Sequence, residues 1–292
     1  MEAILRSTLL LIVCMSPSVL VTIGIIRKRR ARRLWRESPF SKLKRRPAGE
    51  YLRLKLEVLD DGIDTWILWM VGFPTVVVLM AGVSNATGII LPVFAFCSSV
   101  ICTVICGRKL EALTSERANN QLGFEGERYV GEELNRLAAV GFEVYHDVQF
   151  DGFNMDHVLV GSPGVFVVET KTRRMPTVRS GYAEGDRESV EFDGTSFRWP
   201  TGTDKYGLDQ VTKNAQDLSK WLSEAVRNHV EVVPILTFPG WTVIRKIPTS
   251  IVRVLNPEEI VEMWELEHKR LDKSLMGKIC HELNQKCRLA ID

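Results

Sequence analysis

Residues Gly164 to Lys171 read Gly-Val-Phe-Val-Val-Glu-Thr-Lys. Side chains alternate across a strand, which puts Val165, Val167, Glu169 and Lys171 on one face and Phe166, Val168 and Thr170 on the other. A strand that is apolar on both faces has to be covered on both sides, as in the sheet of an α/β fold. An acid and a base two residues apart at the end of such a strand are costly to bury unless they have partners or a task. A second carboxylate sits in the same setting, Asp156 near the start of Met155-Asp156-His157-Val158-Leu159-Val160-Gly161. Between the two runs, Ser162-Pro163-Gly164 predicts a tight hairpin, because Pro-Gly punctuates turns. Two acids and a lysine gathered in this way can hold a divalent metal and orient a water beside it.

The formal net charge of +2 over 292 residues averages over two unlike parts. Up to Lys109 the chain has long uncharged apolar runs and a dense basic block; the remainder has the mixture of a soluble α/β domain. The six cysteines form no Cys-x-x-Cys pair and have no histidine at zinc spacing, and four lie inside apolar runs. They read as buried thiols rather than a disulfide frame or a zinc site.

Thr8 to Ile26 is uncharged and long enough to cross a bilayer. A cleaved signal peptide is the rival reading, but the basic cluster follows the run instead of preceding it, and no Ala-x-Ala-like site comes after. The basic block holds Arg27 to Arg30, Arg32, Arg33, Arg36, Lys42, Lys44, Arg45 and Arg46, opposed by Glu37. Beside an apolar span it is a cytoplasmic topology signal lying against anionic lipid, with nucleic-acid binding as the other reading. Thr65 to Val83 and Gly88 to Cys106 are again uncharged and of spanning length, joined by Ser84-Asn85-Ala86-Thr87. They predict a transmembrane hairpin, against the alternative of a helical pair buried in a soluble core. Between these parts Glu50 to Asp64 fits both strand alternation and a helix face, and serves as a linking or interfacial segment. The expected division is a transmembrane helix in 1–26, a basic cytoplasmic linker in 27–64, a transmembrane hairpin in 65–109, an α/β domain in 118–240 and, in 241–292, a C-terminal strand and helices that complete or extend that domain. The N-terminus then lies outside and the α/β domain in the cytoplasm.

Within the α/β part, Phe124 to Ala139 has helical period, with Glu127, Val130, Gly131, Leu134 and Leu137 on one face. Glu127 therefore points toward the body of the domain, whereas Glu125 is an ordinary first-turn acid. Phe142 to Phe150 alternates as a strand. Asp193-Gly194 predicts a hairpin within Val190 to Trp199, preceded by Arg173, Arg174, Arg179 and Arg187 in a polar stretch that suits either solvent or a nucleic-acid strand. Tyr206 to Val226 is an amphipathic helix with Gln210 and Asn214 at the edge of its apolar stripe. Glu231 to Phe238 and Ser250 to Leu255 read as strands. Asn256-Pro257-Glu258-Glu259 starts a helix, and another is expected toward Asp292.

Taken in order, Gly126-Glu127 opening a helix, Asn154-Met155-Asp156-His157-Val158, Gly164 to Lys171, Gln210-Val211-Thr212-Lys213-Asn214 and Val232 to Leu236 resemble the NERD (nuclease-related) domain of the restriction-endonuclease-like PD-(D/E)xK superfamily. The resemblance implies a mixed sheet flanked by helices. It implies that Asp156 and Glu169 hold a divalent metal, Mg²⁺ or Mn²⁺, with Glu127 as an auxiliary ligand. Lys171 would orient or help deprotonate the attacking water, and Gln210 would brace the site. Met155 stands where the superfamily's name has proline, a position that is not a ligand. His146 and His157 read as packing or hydrogen-bonding residues. The function implied is a membrane-anchored, metal-dependent nuclease, with DNA as the substrate, RNA left open, and the lipid bilayer as the other partner. From a different class, the alternative is a non-catalytic nucleic-acid-binding or scaffold protein that keeps the fold. For Glu169 and Lys171 a surface ion pair, which would contribute little to stability, is the competing reading.

Overall fold

The computed structural model describes residues 45–83, 90–247, 250–262 and 271–287. The expected span Thr8–Ile26, the basic block up to Lys44 and the Ser84–Thr87 turn lie outside them. Among the described residues, Leu56–Ala118 make one compact unit, and residues 45–55 with those from Asn119 onward make a second.

Two long helices supply the first unit, α1 (Glu50–Val83) and the N-terminal part of α2 (Ile90–Asn135). Glu50–Asp64, which fits two periods in the sequence, is helical: Leu56 and Leu59 are buried while Leu54 and Val58 face out, the spacing of one helix face rather than of alternation. Beyond Cys106 the chain turns polar, yet α2 continues through it, because Arg108, Lys109, Glu111 and Leu113 are good helix formers and no proline intervenes. Hydroxyls inside the apolar stretches are satisfied by their own helix: Thr75 Oγ1 donates to the Val71 carbonyl, Ser99 Oγ to that of Ala95 and Thr103 Oγ1 to that of Ser99. Arg117 pairs with Asp60. Large apolar side chains such as Leu68, Trp69, Phe94 and Phe96 are exposed. Among the described residues one helix, Val93–Val140, is long and apolar enough to cross a membrane. Of the three spans that the sequence predicts, Thr8–Ile26 lies outside the described residues, and Thr65–Val83 forms the C-terminal part of α1.

The second unit is built on a five-stranded mixed sheet in the order β1-β2-β3-β7-β9. Strands β1 (Glu143–Phe150), β2 (Phe153–Gly161) and β3 (Gly164–Thr170) form an antiparallel meander, and Gly161↔Gly164 closes the predicted hairpin. The chain then leaves the sheet and returns through α3 (Leu208–Val226) into β7 (Val232–Thr237), parallel to β3, with β9 (Arg253–Val254) parallel on the outer edge. Of the predicted strand Ser250–Leu255 only these two residues pair, consistent with the short edge strands that natural sheets favour. A second sheet, in the order β6-β5-β4-β8, contains the Asp-Gly hairpin between β4 (Ser189–Phe192) and β5 (Phe197–Trp199), then β6 (Gly202–Asp204) and β8 (Thr242–Arg245). Two short helices complete the unit, α4 (Pro257–Glu262) and α5 (Lys273–Lys286). Asp272 caps α5 through the Ser274 and Leu275 N–H groups. At α4 the Asn256 N–H donates to Glu259 Oε2 at 2.8 Å, the backward half of a capping box.

β3 is covered on both faces, as its sequence requires. Val165 and Val167 pack with α3 residues Val211, Leu218 and Leu222, with Phe192 and Phe197 of the small sheet and with Ile279 of α5. Phe166 and Val168 pack with Val130 and Leu134 of α2, with Leu137 in the 3-10 turn (Arg136–Val140) that follows it and with Ile260 of α4. Leu134 is fully buried in this second cluster, so Leu134→Ala should cost about 2–5 kcal/mol, whereas Glu132→Ala on the outer face should stay within about 0.5 kcal/mol. Urea unfolding of the full chain in detergent, followed by tryptophan fluorescence, measures the difference.

Candidate active site

The site is built where β2 and β3 part. At this end the β2–β3 ladder runs to His157↔Val168. The next inward N–H, that of Thr170, donates to Asp156 Oδ2 at 2.8 Å, so a side-chain carboxylate takes the place of a main-chain carbonyl. On the other side of β2 the pairing with β1 skips from His146↔His157 to Val148↔Met155. The residue opposite Asp156 is Asp147, held in the left-handed region at φ 47°, a conformation asparagine and aspartate tolerate better than most. The Asp147 carboxylate accepts from Arg46 Nη1 at 3.1 Å, from the Tyr51 N–H at 3.1 Å and from Asn154 Nδ2 at 2.9 Å.

Glu169 is almost wholly enclosed, its side chain 1% exposed. One oxygen accepts from Lys171 Nζ at 2.8 Å and the other from Asn214 Nδ2 at 2.9 Å. Lys171 also donates to Gln210 Oε1 at 2.8 Å, and its Nζ lies 5.5 Å from the centre of the Tyr206 ring. The pair is thus buried and braced by one turn of α3, not a surface ion pair. A buried pair of this kind gains little over apolar packing but is expensive to break from one side.

Glu127 enters from α2, buried as its helical phase predicts, and its Oε2 is enclosed with no hydrogen-bond partner. Its approach depends on Gly126: a Cβ there would sit 2.0 Å from Thr172 Cγ2 and 3.4 Å from Pro239 Cγ. Gly207, at φ 88° before α3, has a similar role, since a Cβ would come within 2.9 Å of Lys171 Cγ.

Burial and mutual repulsion push the acids up. Burial, then Asp147 and Glu169, raise Glu127 to about 8, against the opposing pull of Lys171. Burial, Glu169 and Glu127 hold Asp156 well above the usual carboxylate range. Burial raises Glu169 too, with Lys171 and Asn214 pulling the other way. Burial alone would lower Lys171, but Glu169 and Asp156 outweigh it and the ammonium is held more firmly protonated than usual.

All five residues singled out in the sequence therefore meet at one place: Glu127, Asp156, Glu169 and Lys171 act on one another, and Gln210 touches Lys171. Among the described residues no three carboxylate, histidine or cysteine side chains form a ready-made metal cage. The donor chemistry nevertheless fits a hard cation that uses one or two carboxylates plus water, which would relieve the repulsion among three acids and give Glu127 Oε2 a partner. A cleft of about 630 Å³ opens beside Glu127, Thr170 and Lys171, with Arg174 and Tyr206 on its wall.

Three participants carried little signal in the sequence. Asn214 is legible only as one turn beyond Gln210. Tyr206 precedes the helix that the sequence predicts it to begin, and Asp147 is hidden in strand alternation. His146 and His157 hydrogen bond to each other, Nδ1 to Nδ1 at 2.8 Å, and outward to Asn135 and Thr170. Burial lowers His146 to about 4 and, with His146 beside it, holds His157 well below its usual value, so both rings are neutral near neutral pH.

The sign of the resulting pH dependence follows. A carboxyl whose folded pKa is raised makes the folded state bind more protons than the unfolded one, so stability falls as pH climbs toward the folded value. The neutral histidines act oppositely, but only below about pH 6.5. Metal-free protein should therefore lose thermal stability between about pH 6.5 and about pH 8.5, and Glu127→Gln should flatten that decline. Melting curves in EDTA across this range test it; stability rising over the window would contradict the arrangement.

Neither the curated proteins nor the solved structures include a match to this chain. Residues 122–239, less than half of its length, match the nuclease-related domain family, NERD, and this segment of mixed α/β sheet is what ties the chain to nuclease-related function.

Proposed function

We propose that this protein is a membrane-anchored, divalent-metal-dependent nuclease that hydrolyses DNA phosphodiester bonds at the cytoplasmic face. The observation that supports it most is the convergence of Glu127, Asp156 and Glu169 on Lys171, with one Glu127 oxygen enclosed and unpartnered, inside the segment that matches the nuclease-related family. Asp156 and Glu169, with Glu127 in reserve, would hold a Mg²⁺ or Mn²⁺ ion, which would supply neutralisation of phosphate charge and activation of a water. Lys171 stays protonated, so it acts as a fixed positive charge and hydrogen-bond donor, not as the base. Two of its three donors go to Glu169 and Gln210, leaving one for a phosphate oxygen or the attacking water. Asn214 and Gln210 hold the glutamate and lysine in register, and Thr170 N–H fixes the Asp156 carboxylate. Exposed apolar side chains on α1 and α2 support anchoring, and the basic residues of segment 27–46 with Arg108 and Lys109 support the cytoplasmic side.

A second reading, nucleic-acid binding without turnover, draws on the two Glu169 oxygens and one Asp156 oxygen being already engaged by protein donors.

Purified full-length protein should cut DNA in Mg²⁺ or Mn²⁺ and not in EDTA. Asp156→Asn and Glu169→Gln keep the shape and one acceptor oxygen each while removing the charge, and each should lower the rate by about 100-fold or more with an unchanged circular dichroism spectrum. Undiminished cutting by both variants refutes the site; binding without cutting by the parent protein selects the second reading. Separately, a reporter fused to the C-terminus should register the cytoplasm, and an external signal would overturn the topology.

A further inference from the structure

The cleft beside Glu127 and Lys171 is not isolated. A second cleft, of about 580 Å³, lies against it, and the two share Leu122, Thr172 and Arg173. Each has the volume that encloses one small organic molecule, the scale of a nucleotide or two and far below that of a duplex. Aromatic rings stand along this groove. Tyr206, 45% exposed, lies in the first part; Tyr129, 44% exposed, and Trp241 line the second.

Tyr206 is held on a braced turn. Its N–H donates to Asp204 Oδ1 at 3.2 Å, and the same carboxylate accepts from Trp199 Nε1 at 2.8 Å and Arg173 Nη1 at 2.5 Å. These bonds fix the main chain that carries the ring, and Lys171 Nζ lies 5.5 Å from the ring centre, so the ring can stack on a base with a reduced ordering cost. Arg174 reaches across to α2, donating to Asn119 Oδ1 at 2.8 Å, which sets a guanidinium on the cleft wall. Carboxylates also line the groove, Glu127 and Asp204 in the first part and Glu125 and Glu258 in the second, so cationic attraction alone does not account for binding there and stacking has to contribute.

We propose that the substrate enters as a single strand, with Tyr206 stacking on a base beside the phosphate that faces Lys171 and Arg174 contacting a neighbouring phosphate. Single-strand binders combine a basic groove with aromatic platforms of this kind, because every base offers a π face whatever the sequence. The inference rests on the nuclease reading for the location of the scissile phosphate and adds the form of the polymer.

The test uses the full chain in detergent micelles with Ca²⁺ in place of Mg²⁺, titrated into a fluorescein-labelled DNA oligonucleotide and its blunt duplex and followed by anisotropy. The single strand should bind about 10-fold or more tightly than the duplex. Tyr206→Ala should weaken it by about 5- to 150-fold, the range for loss of one stacked base, while Tyr206→Phe retains it. Arg174→Gln should weaken all sequences alike and reduce the salt slope by about one. Equal or tighter duplex binding, or no loss in Tyr206→Ala, overturns the inference. Cleavage assays in Mg²⁺ separate the two readings. Duplex cut as fast as single strand leaves the nuclease reading standing and removes this one. Tyr206-dependent single-strand binding with no cleavage in Mg²⁺ or Mn²⁺ does the reverse, and absence of both binding and cleavage removes both.

Discussion

Glu169 is a carboxylate taken almost wholly out of water, and everything around it answers to that fact. An ionised carboxylate in such a place requires paired charge and hydrogen bonds. Lys171 supplies the charge from two residues along the same strand, Asn214 fills the remaining oxygen, and Gln210 steadies the lysine. The strand can hold the pair because its other residues are buried on both faces, and α3 can reach it because Gly207 leaves room at the crossing. Asp156 and Glu127 then add two carboxyls whose ionisation the single lysine does not balance, and both are pushed toward the protonated form. The molecule keeps an electrostatically unsettled corner at the mouth of a cleft, which is where perturbed acids tend to signal chemistry.

Much of this was legible from residue order. Alternation in Gly164 to Lys171 placed valines and phenylalanine on two covered faces, and helical phase alone turned Glu127 inward. Hairpin turns at Pro163-Gly164 and Asp193-Gly194 fell where turn chemistry put them. Other features depend on tertiary context that no local pattern encodes. Glu50–Asp64 satisfied two periods, and helix won once Leu56 and Leu59 found cover. The left-handed kink at Asp147 is invisible in an alternating strand, although it interrupts pairing opposite Asp156. The short β9 reflects how little edge is left to pair, not its β-branched composition.

The helical unit raises a different physical question. Its aromatic and aliphatic side chains are exposed along α1 and α2, while its hydroxyls bond back to their own helices. That combination suits a medium without water, in which each helix must satisfy its own polar groups.

The notch at Gly126 has an implication for how such a chain can vary. Thr172 Cγ2 occupies the space that any side chain at 126 would need, so the two positions are reciprocal in volume. A methyl group can be accommodated at one only if it is surrendered at the other, or if the helix backs away and takes the Glu127 carboxylate with it. Sequence drift at a residue with no polar atom in its side chain is thereby tied to the position of an acid next to it.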